Sequence, residues 1–139
     1  MEYFKNEFAM INYLDDVKTV ELVWKQTTNS QKYREIFAKG VEALEKYQIS
    51  NWLSDTTDQG LVSPEDRKWL ESHMIPTAVQ KGLRNIAVLV SKDVFKKYYV
   101  DSVRKHVEKS HLCMQYFDKR EDAIQWLNEI NNARLAQSA

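Results

Sequence analysis

The sequence predicts an α/β fold: a mixed sheet with an N-terminal antiparallel hairpin and helices packed on it, in the order ββαβα(α)βαβα. Three observations carry this. Two runs near the N-terminus alternate apolar and polar residues with a period of two. Apolar stripes at helical spacing run through Tyr33–Leu44 and Ala123–Ile130. Between them, Ile86–Val90 is continuously apolar, the pattern of a strand buried on both faces at the centre of a layered sheet. A hairpin followed by strand–helix units requires later strands that run mostly parallel, joined by right-handed crossovers.

Residues 3–14 form the first alternating run. Phe4, Phe8, Met10 and Leu14 share one parity, Tyr3, Ala9, Ile11 and Tyr13 the other, with an interruption near Lys5–Glu7. Leu14–Lys18 supplies a turn, after which Val20, Leu22 and Trp24 point one way and Glu21, Val23 and Lys25 the other. A helix is expected from Ser30 to Tyr47, with Thr28 and Gln31 offering a capping box and Asn29 a competing cap. Gly40 lies in the middle of its apolar stripe. It costs about 1 kcal/mol of helix propensity relative to Ala, for which close packing against the sheet is the local reason.

Ile49–Leu53 reads as the next strand. Ser63, Pro64, Glu65 and Asp66 then form a helix start: Ser63 as cap, Pro64 at the first helical position, and Asp66 placed to reach back and complete the box. Trp69, Leu70 and Met74 cover one side of this helix. Pro76 forces a kink or starts a second helix carrying Ala78 and Val79, and Gly82 fits the C-cap. After the Ile86–Val90 strand come a short helical turn and a helix over Asp101–Lys109 burying Val103 and Val107. Leu112–Phe117 is the last strand, Asp118 with Glu121 a further capping box, and the tail after Asn131 frays.

Residues 1–139 suit one domain, and 43% hydrophobic with 29% charged residues exclude a disordered chain. Twenty basic and twenty acidic residues cancel, which argues against a general nucleic-acid binder. No apolar stretch is long enough to span a membrane, and Met1–Phe8 lacks the pattern of a secretion signal. A single cysteine rules out an internal disulfide and fits the cytoplasm.

Chemistry is sparsely signalled. Dinucleotide and phosphate loops, paired-cysteine motifs and the zinc-protease motif are all absent, so no cofactor is expected. His111 and Cys113 would share a strand face, with His106 and Asp118 close in sequence. A soft metal site needs all of them to converge; the plainer reading is a core cysteine beside a surface or edge histidine, and no metal. Ser54, Asp55, Thr56, Thr57, Asp58 and Gln59 lie at the carboxyl end of a strand, where α/β proteins meet ligands and partners. Asp55 and Asp58 with His73 would make a formal hydrolase arrangement, but no nucleophile elbow accompanies them. Asx turns in a solvated loop explain the two acids without catalysis. Trp24, Trp52, Trp69 and Trp126 read mainly as core, with an interface as the other use. Lys92, Lys96, Lys97, Arg104 and Lys105, interleaved with Tyr98 and Tyr99, are diluted by Asp93, Asp101 and Glu108 and read as a solvated helix face. Exposed hairpin aromatics would make a homodimer reasonable.

Four stretches, WKQTTNSQKYREIFAKGVEAL, NWLSDTTDQGLVSPEDRKWL, GLRNIAVLVSKDVF and QYFDKREDAIQWL, are spread along the chain from Trp24 to Leu127. In their pattern and spacing the chain resembles the small bacterial STAS-like (SpoIIAA-like) proteins, especially a group seen in Bacteroidetes-type bacteria. The resemblance implies a compact mixed sheet with helices, no cofactor, no enzymatic role, and a regulatory or interaction module that meets another protein. In the anti-sigma-factor antagonist branch, a D-S-S-G-like turn carries a serine phosphorylated by a partner kinase. Here Asp55 and Gly60 echo that turn and Ser63 stands at a helix start, but the string is missing and the loop is longer. Ser63 is committed to capping and two adjacent acids would repel a phosphate, so the switch is not carried over. The expected function is therefore a non-enzymatic interaction or regulatory module using the Ser54–Gln59 loop. The alternative is a small-molecule or lipid-binding domain, whose signature would be an apolar cavity beneath residues 54–63.

Overall fold

The computed structural model describes residues 1–94 and 112–138, with the side chains of 134–138 left aside. The expected helix over 101–109, His106, His111 and the basic cluster beyond Lys92 lie outside the described residues.

Among the described residues, six strands form one sheet in sequence order. β1 (Glu2–Lys5), β2 (Ala9–Leu14) and β3 (Thr19–Trp24) pair antiparallel. β4 (Asn51–Asp55), β5 (Asn85–Leu89) and β6 (Cys113–Phe117) follow parallel to β3. The interruption near Lys5–Glu7 is a hairpin turn. Asn6 Oδ1 accepts from the backbone N–H groups of Phe8 at 2.8 Å and Ala9 at 2.9 Å. One alternating run is thus two strands, and the antiparallel part of the sheet has three. Tyr3, Phe4 and Phe8 are half-buried against the core rather than exposed.

Helix α1 spans Ser30–Tyr47 and is capped by Asn29, whose side chain accepts from the Lys32 N–H at 2.8 Å. It buries Tyr33, Ile36, Phe37, Gly40, Val41, Ala43 and Leu44. Helix α2 (Pro64–Trp69) starts as the sequence indicates, with Ser63 Oγ accepting from the Asp66 N–H at 3.1 Å. The reciprocal half of the box is not made. The Asp66 carboxylate is buried and accepts instead from Ser30 Oγ at 2.9 Å, tying the start of α2 to the start of α1. A π-helical turn, Leu70–Met74, leads without a break into α3 (Ile75–Gln80). Pro76, which lacks the N–H that would continue the ladder, stands in the first turn of α3, so the expected second helix does start there. Thr77 Oγ1 donates to the His73 carbonyl at 2.7 Å and Ser72 Oγ to that of Lys68 at 2.6 Å. Gly82 (φ 115°) closes α3, with the Leu83 N–H reaching the Ala78 carbonyl at 2.9 Å.

Strand alternation divides the interior into two layers. Val20, Leu22, Trp24, Trp52, Ile86 and Val88 join one core with α1 and α3. On the other face Leu53, Ala87, Leu89 and Phe117 pack against Ala123 and Leu127. Those two belong to the C-terminal helix, Arg120–Ser138, which continues well past Asn131 rather than fraying there. At the amino ends of β4 and β5 lies a buried amide knot. Asn51 Nδ2 donates to Asn131 Oδ1 at 2.9 Å, and Asn85 Nδ2 to Asn51 Oδ1 at 2.9 Å. The Val17 carbonyl receives Asn131 Nδ2 at 2.7 Å and Thr19 Oγ1 at 2.8 Å.

Candidate functional site

The loop leaving β4 is fixed by its own hydrogen bonds. The backbone N–H and the hydroxyl of Thr56 both donate to the Leu89 carbonyl, each at 2.9 Å, so the chain is held to the end of β5. Asp55 Oδ1 accepts from the Thr57 N–H at 3.1 Å and also from the Thr57 hydroxyl, an Asx turn. Gly60 has φ 78°, a conformation that favours glycine. It lies against the Thr27 side chain between β3 and α1.

Of the stretch Ser54–Gln59, Ser54 and Asp55 end β4 and the remaining residues form the loop. Ser54 is buried, Asp55, Thr56 and Gln59 are half-buried, and Thr57 and Asp58 are exposed. Beyond them Gly60 is exposed, and Leu61 stands 91% exposed. The hydrolase arrangement is not assembled. Asp55 has the parity of Leu53 and so faces the layer of the C-terminal helix, whereas His73 lies on the π turn packed with the opposite layer. Among the described residues no hydrogen bond or ion pair joins Asp55 or Asp58 to His73, whose Nδ1 instead lies 2.9 Å from Ser72 Oγ.

Beneath the loop, between the sheet, α1 and α3, lies a cavity of about 170 Å³. Ser54, Thr56 and Gln59 line it, and most of its wall is apolar: Phe37, Trp52, Met74, Val88 and Met114 among others. Its origin is the register. Ser54 sits between Leu22 and Val88 on the face toward α1, and its short side chain leaves the space that a larger inward residue would fill. Trp24 and Tyr33 also line it, stacked with ring centroids 5.3 Å apart. Trp24 and Trp52, expected mainly as core, do lie in the core and also border this cavity; the sequence signal for the cavity is a small polar residue, Ser54, at an inward position of a buried strand.

The electrostatics beside the cavity are set by buried groups. Burial pushes the pKa of the Tyr33 hydroxyl up, and the negative charge of Asp66 pushes it further, only partly offset by Arg67. Asp66 Oδ1 has no hydrogen-bond partner, Arg34 Nε lying 3.8 Å away. Trp24 Nε1, on a side chain 1% exposed, likewise has no hydrogen-bond partner.

Among the described residues, no group of three or more His, Cys, Asp or Glu side chains is placed to hold a metal ion. Cys113, expected in the core, is exposed: it opens β6, the edge strand of the sheet. Among the described residues, no helix is long and apolar enough to cross a membrane.

Comparison with known proteins agrees with this architecture. Residues 19–128 match the model of the SpoIIAA-like family. A crystal structure of an uncharacterized protein of the DUF3478 family with a SpoIIAA-like fold, from Shewanella loihica PV-4, is similar at a TM-score of 0.60 and 14% identity. The match covers 89% of this chain and 98% of that one. At this identity the likeness is one of fold. No curated protein sequence matches.

Proposed function

We propose that this chain, which belongs to the SpoIIAA-like family, works as a non-enzymatic regulatory module, a single α/β domain across residues 1–139, that meets another protein through the Ser54–Gln59 loop. The supporting observation is that Thr57 and Asp58 are exposed at the tip of a turn already fixed by the paired Thr56 bonds to Leu89 and the Asp55–Thr57 turn. A preorganised surface loses little conformational freedom on binding. Leu61 supplies an apolar anchor beside it. A single cysteine, present as an exposed free thiol, suits the cytoplasm. A second copy has less to cover than the sequence suggests, because Tyr3, Phe4 and Phe8 already pack on the core. The narrower likeness to a Bacteroidetes-type group rests on the sequence pattern alone. The test is a photo-crosslinking residue at Leu61 in the native host, compared with one at Gln125 on the far helix. A discrete adduct specific to Leu61 is expected; no adduct, or the same adducts from both positions, removes the reading.

The cavity supports a second reading, binding of a small molecule. It lies where the parallel strands end and shares Ser54, Thr56 and Gln59 with the loop, so an occupant would touch the surface offered to a partner. Its size suits one ring or a short chain better than a two-chain lipid.

A further inference from the structure

The register gives the cavity an apolar part and a polar end. Trp52, Ile86 and Met114 are cross-strand neighbours in its wall, and Ser54 and Val88 stand two residues further along, where the parallel strands end. Aromatic residues aside, the polar lining is Ser54, Thr56 and Gln59, all uncharged and all from that end. Among the described residues, no Asp, Glu, Lys, Arg or His lines the cavity. Its volume of about 170 Å³ is enough for one ring, since an apolar cavity of roughly 150 Å³ holds a benzene.

Ser54 is the lining residue whose polar group the fold does not use. It is 8% exposed, and among the described residues its hydroxyl has no hydrogen-bond partner. Two other unpartnered atoms, Trp24 Nε1 and Asp66 Oδ1, are sealed off by packing. The Ser54 hydroxyl is not sealed: it stands between Leu22 and Val88 on the face toward α1 and opens on the cavity. Valine at this place would suit a strand better, fill part of the space and leave no hydroxyl unpaired. Serine is explained if an occupant of the cavity bonds to it. Thr56 differs, because its own proton goes to the Leu89 carbonyl and toward a ligand its hydroxyl can only accept.

A charged group brought into this space would leave water for a lining that holds no opposite charge. A hydroxyl group meets no such cost, since it both accepts and donates. We infer that the cavity binds an uncharged molecule with a one-ring apolar body and a hydroxyl group, and that this hydroxyl is hydrogen-bonded to Ser54 Oγ. This rests on the second reading above, that the cavity is a binding site, and adds the ligand class and the residue that selects it.

Three probes separate the two claims: benzyl alcohol, with a ring and one hydroxyl; toluene, of nearly the same shape without it; and benzoate, with a charge. Each is titrated into the wild-type protein and S54A, with binding followed by the methyl resonances of Met74 and Val88, which line the cavity. Benzyl alcohol is expected to bind saturably to the wild type, and benzoate more weakly. S54A removes a hydroxyl that no protein group uses, so it should fold. It should weaken benzyl alcohol roughly fivefold, the value of one net hydrogen bond, and leave toluene unchanged. S54V should fill the space and bind neither, at an equal or higher melting temperature; if it does not fold, the wild type and S54A decide. Benzyl alcohol binding that S54A does not weaken would overturn the assigned partner while leaving a binding cavity. Tighter binding of benzoate than of benzyl alcohol would overturn the uncharged class. Undiminished binding to a folded S54V would place the probe elsewhere and overturn the inference. Failure of all three probes on the wild type would overturn the cavity reading itself.

Discussion

A β-carbon on Gly40 would overlap Cη2 of Trp52 and lie 3.0 Å from Cζ3 and 3.1 Å from Cζ2. Helix α1 therefore meets β4 at a point with room for hydrogen only, and Trp52 forms one wall of the cavity. G40A should gain about 1 kcal/mol of helix propensity and lose about 1–3 kcal/mol to overpacking. A lower melting temperature is expected, with a larger drop for G40L. Because the indole borders the cavity, its displacement should also change the cavity's shape. An unchanged melting temperature for G40L would mean that the ring moves aside freely.

The amide knot should carry a large share of stability for its size. N51L keeps the branched outline of the side chain but leaves Asn85 Nδ2 and Asn131 Oδ1 without their partner. Two unsatisfied groups, one buried and one half-buried, cost on the order of 2–6 kcal/mol together. Urea denaturation should show a lower midpoint with an unchanged slope. A loss below about 1 kcal/mol would show that water or rearrangement satisfies both groups.

Glu21 is a buried carboxylate in the middle of β3. Its oxygens accept from Asn12 Nδ2 at 3.0 Å and from Arg120 Nε and Nη2, each at 3.1 Å. R120M retains the aliphatic stem and abandons the carboxylate. About 2 kcal/mol of destabilisation is expected, moderated because Arg120 itself is half-exposed. E21Q combined with R120M should recover part of that loss. A double-mutant cycle with no coupling would dismiss the pair as a contributor.

Tyr3 donates to Glu42 Oε1 at 2.6 Å, across from β1 to α1. That bond raises the Tyr3 pKa to about 12, with burial and the Glu42 charge adding to it, and lowers that of Glu42. For Tyr3 the folded value lies above the unfolded one. Its contribution is fully present below the ordinary tyrosine pKa and is lost as pH rises through the folded value of about 12. For Glu42 the sign is opposite: its contribution is present above the ordinary glutamate range and fades as pH falls through the lowered value. Absorbance titration of tyrosinate should lose one late-titrating residue in Y3F, with Tyr13 and Tyr33 still late, and in E42Q one of the late residues should move earlier. A late titration unaffected by E42Q would assign the shift to another cause.

Much of the fold was legible because its signals are local. The Asn29 and Ser63 caps, the α1 stripe and the apolar β5 run each declare themselves within a few residues. The hairpin at Asn6 was read as an interruption because a tight Asx turn has no apolar pattern of its own. The destination of the Asp66 carboxylate was hidden for a different reason. Its partner, Ser30, is distant in sequence and adjacent only once α1 and α2 pack. The same holds for the cavity, which depends on Ser54 falling between Leu22 and Val88 in register. The separation of Asp55 from His73, by contrast, follows from alternation along β4 as soon as the layers on the two faces of the sheet are known.

β4 is five residues long, Asn51 to Asp55, and its two ends are built from opposite materials. One end is gripped by side-chain amides from β5 and the C-terminal helix; the other borders empty space under a solvent-facing turn. The strand is therefore a beam clamped at one end and loaded at the other. Hydrogen exchange should be graded along it, slowest at the clamped end and fastest toward the turn. Sequence drift at the loaded end can then reshape the cavity, while the clamp keeps the sheet in register.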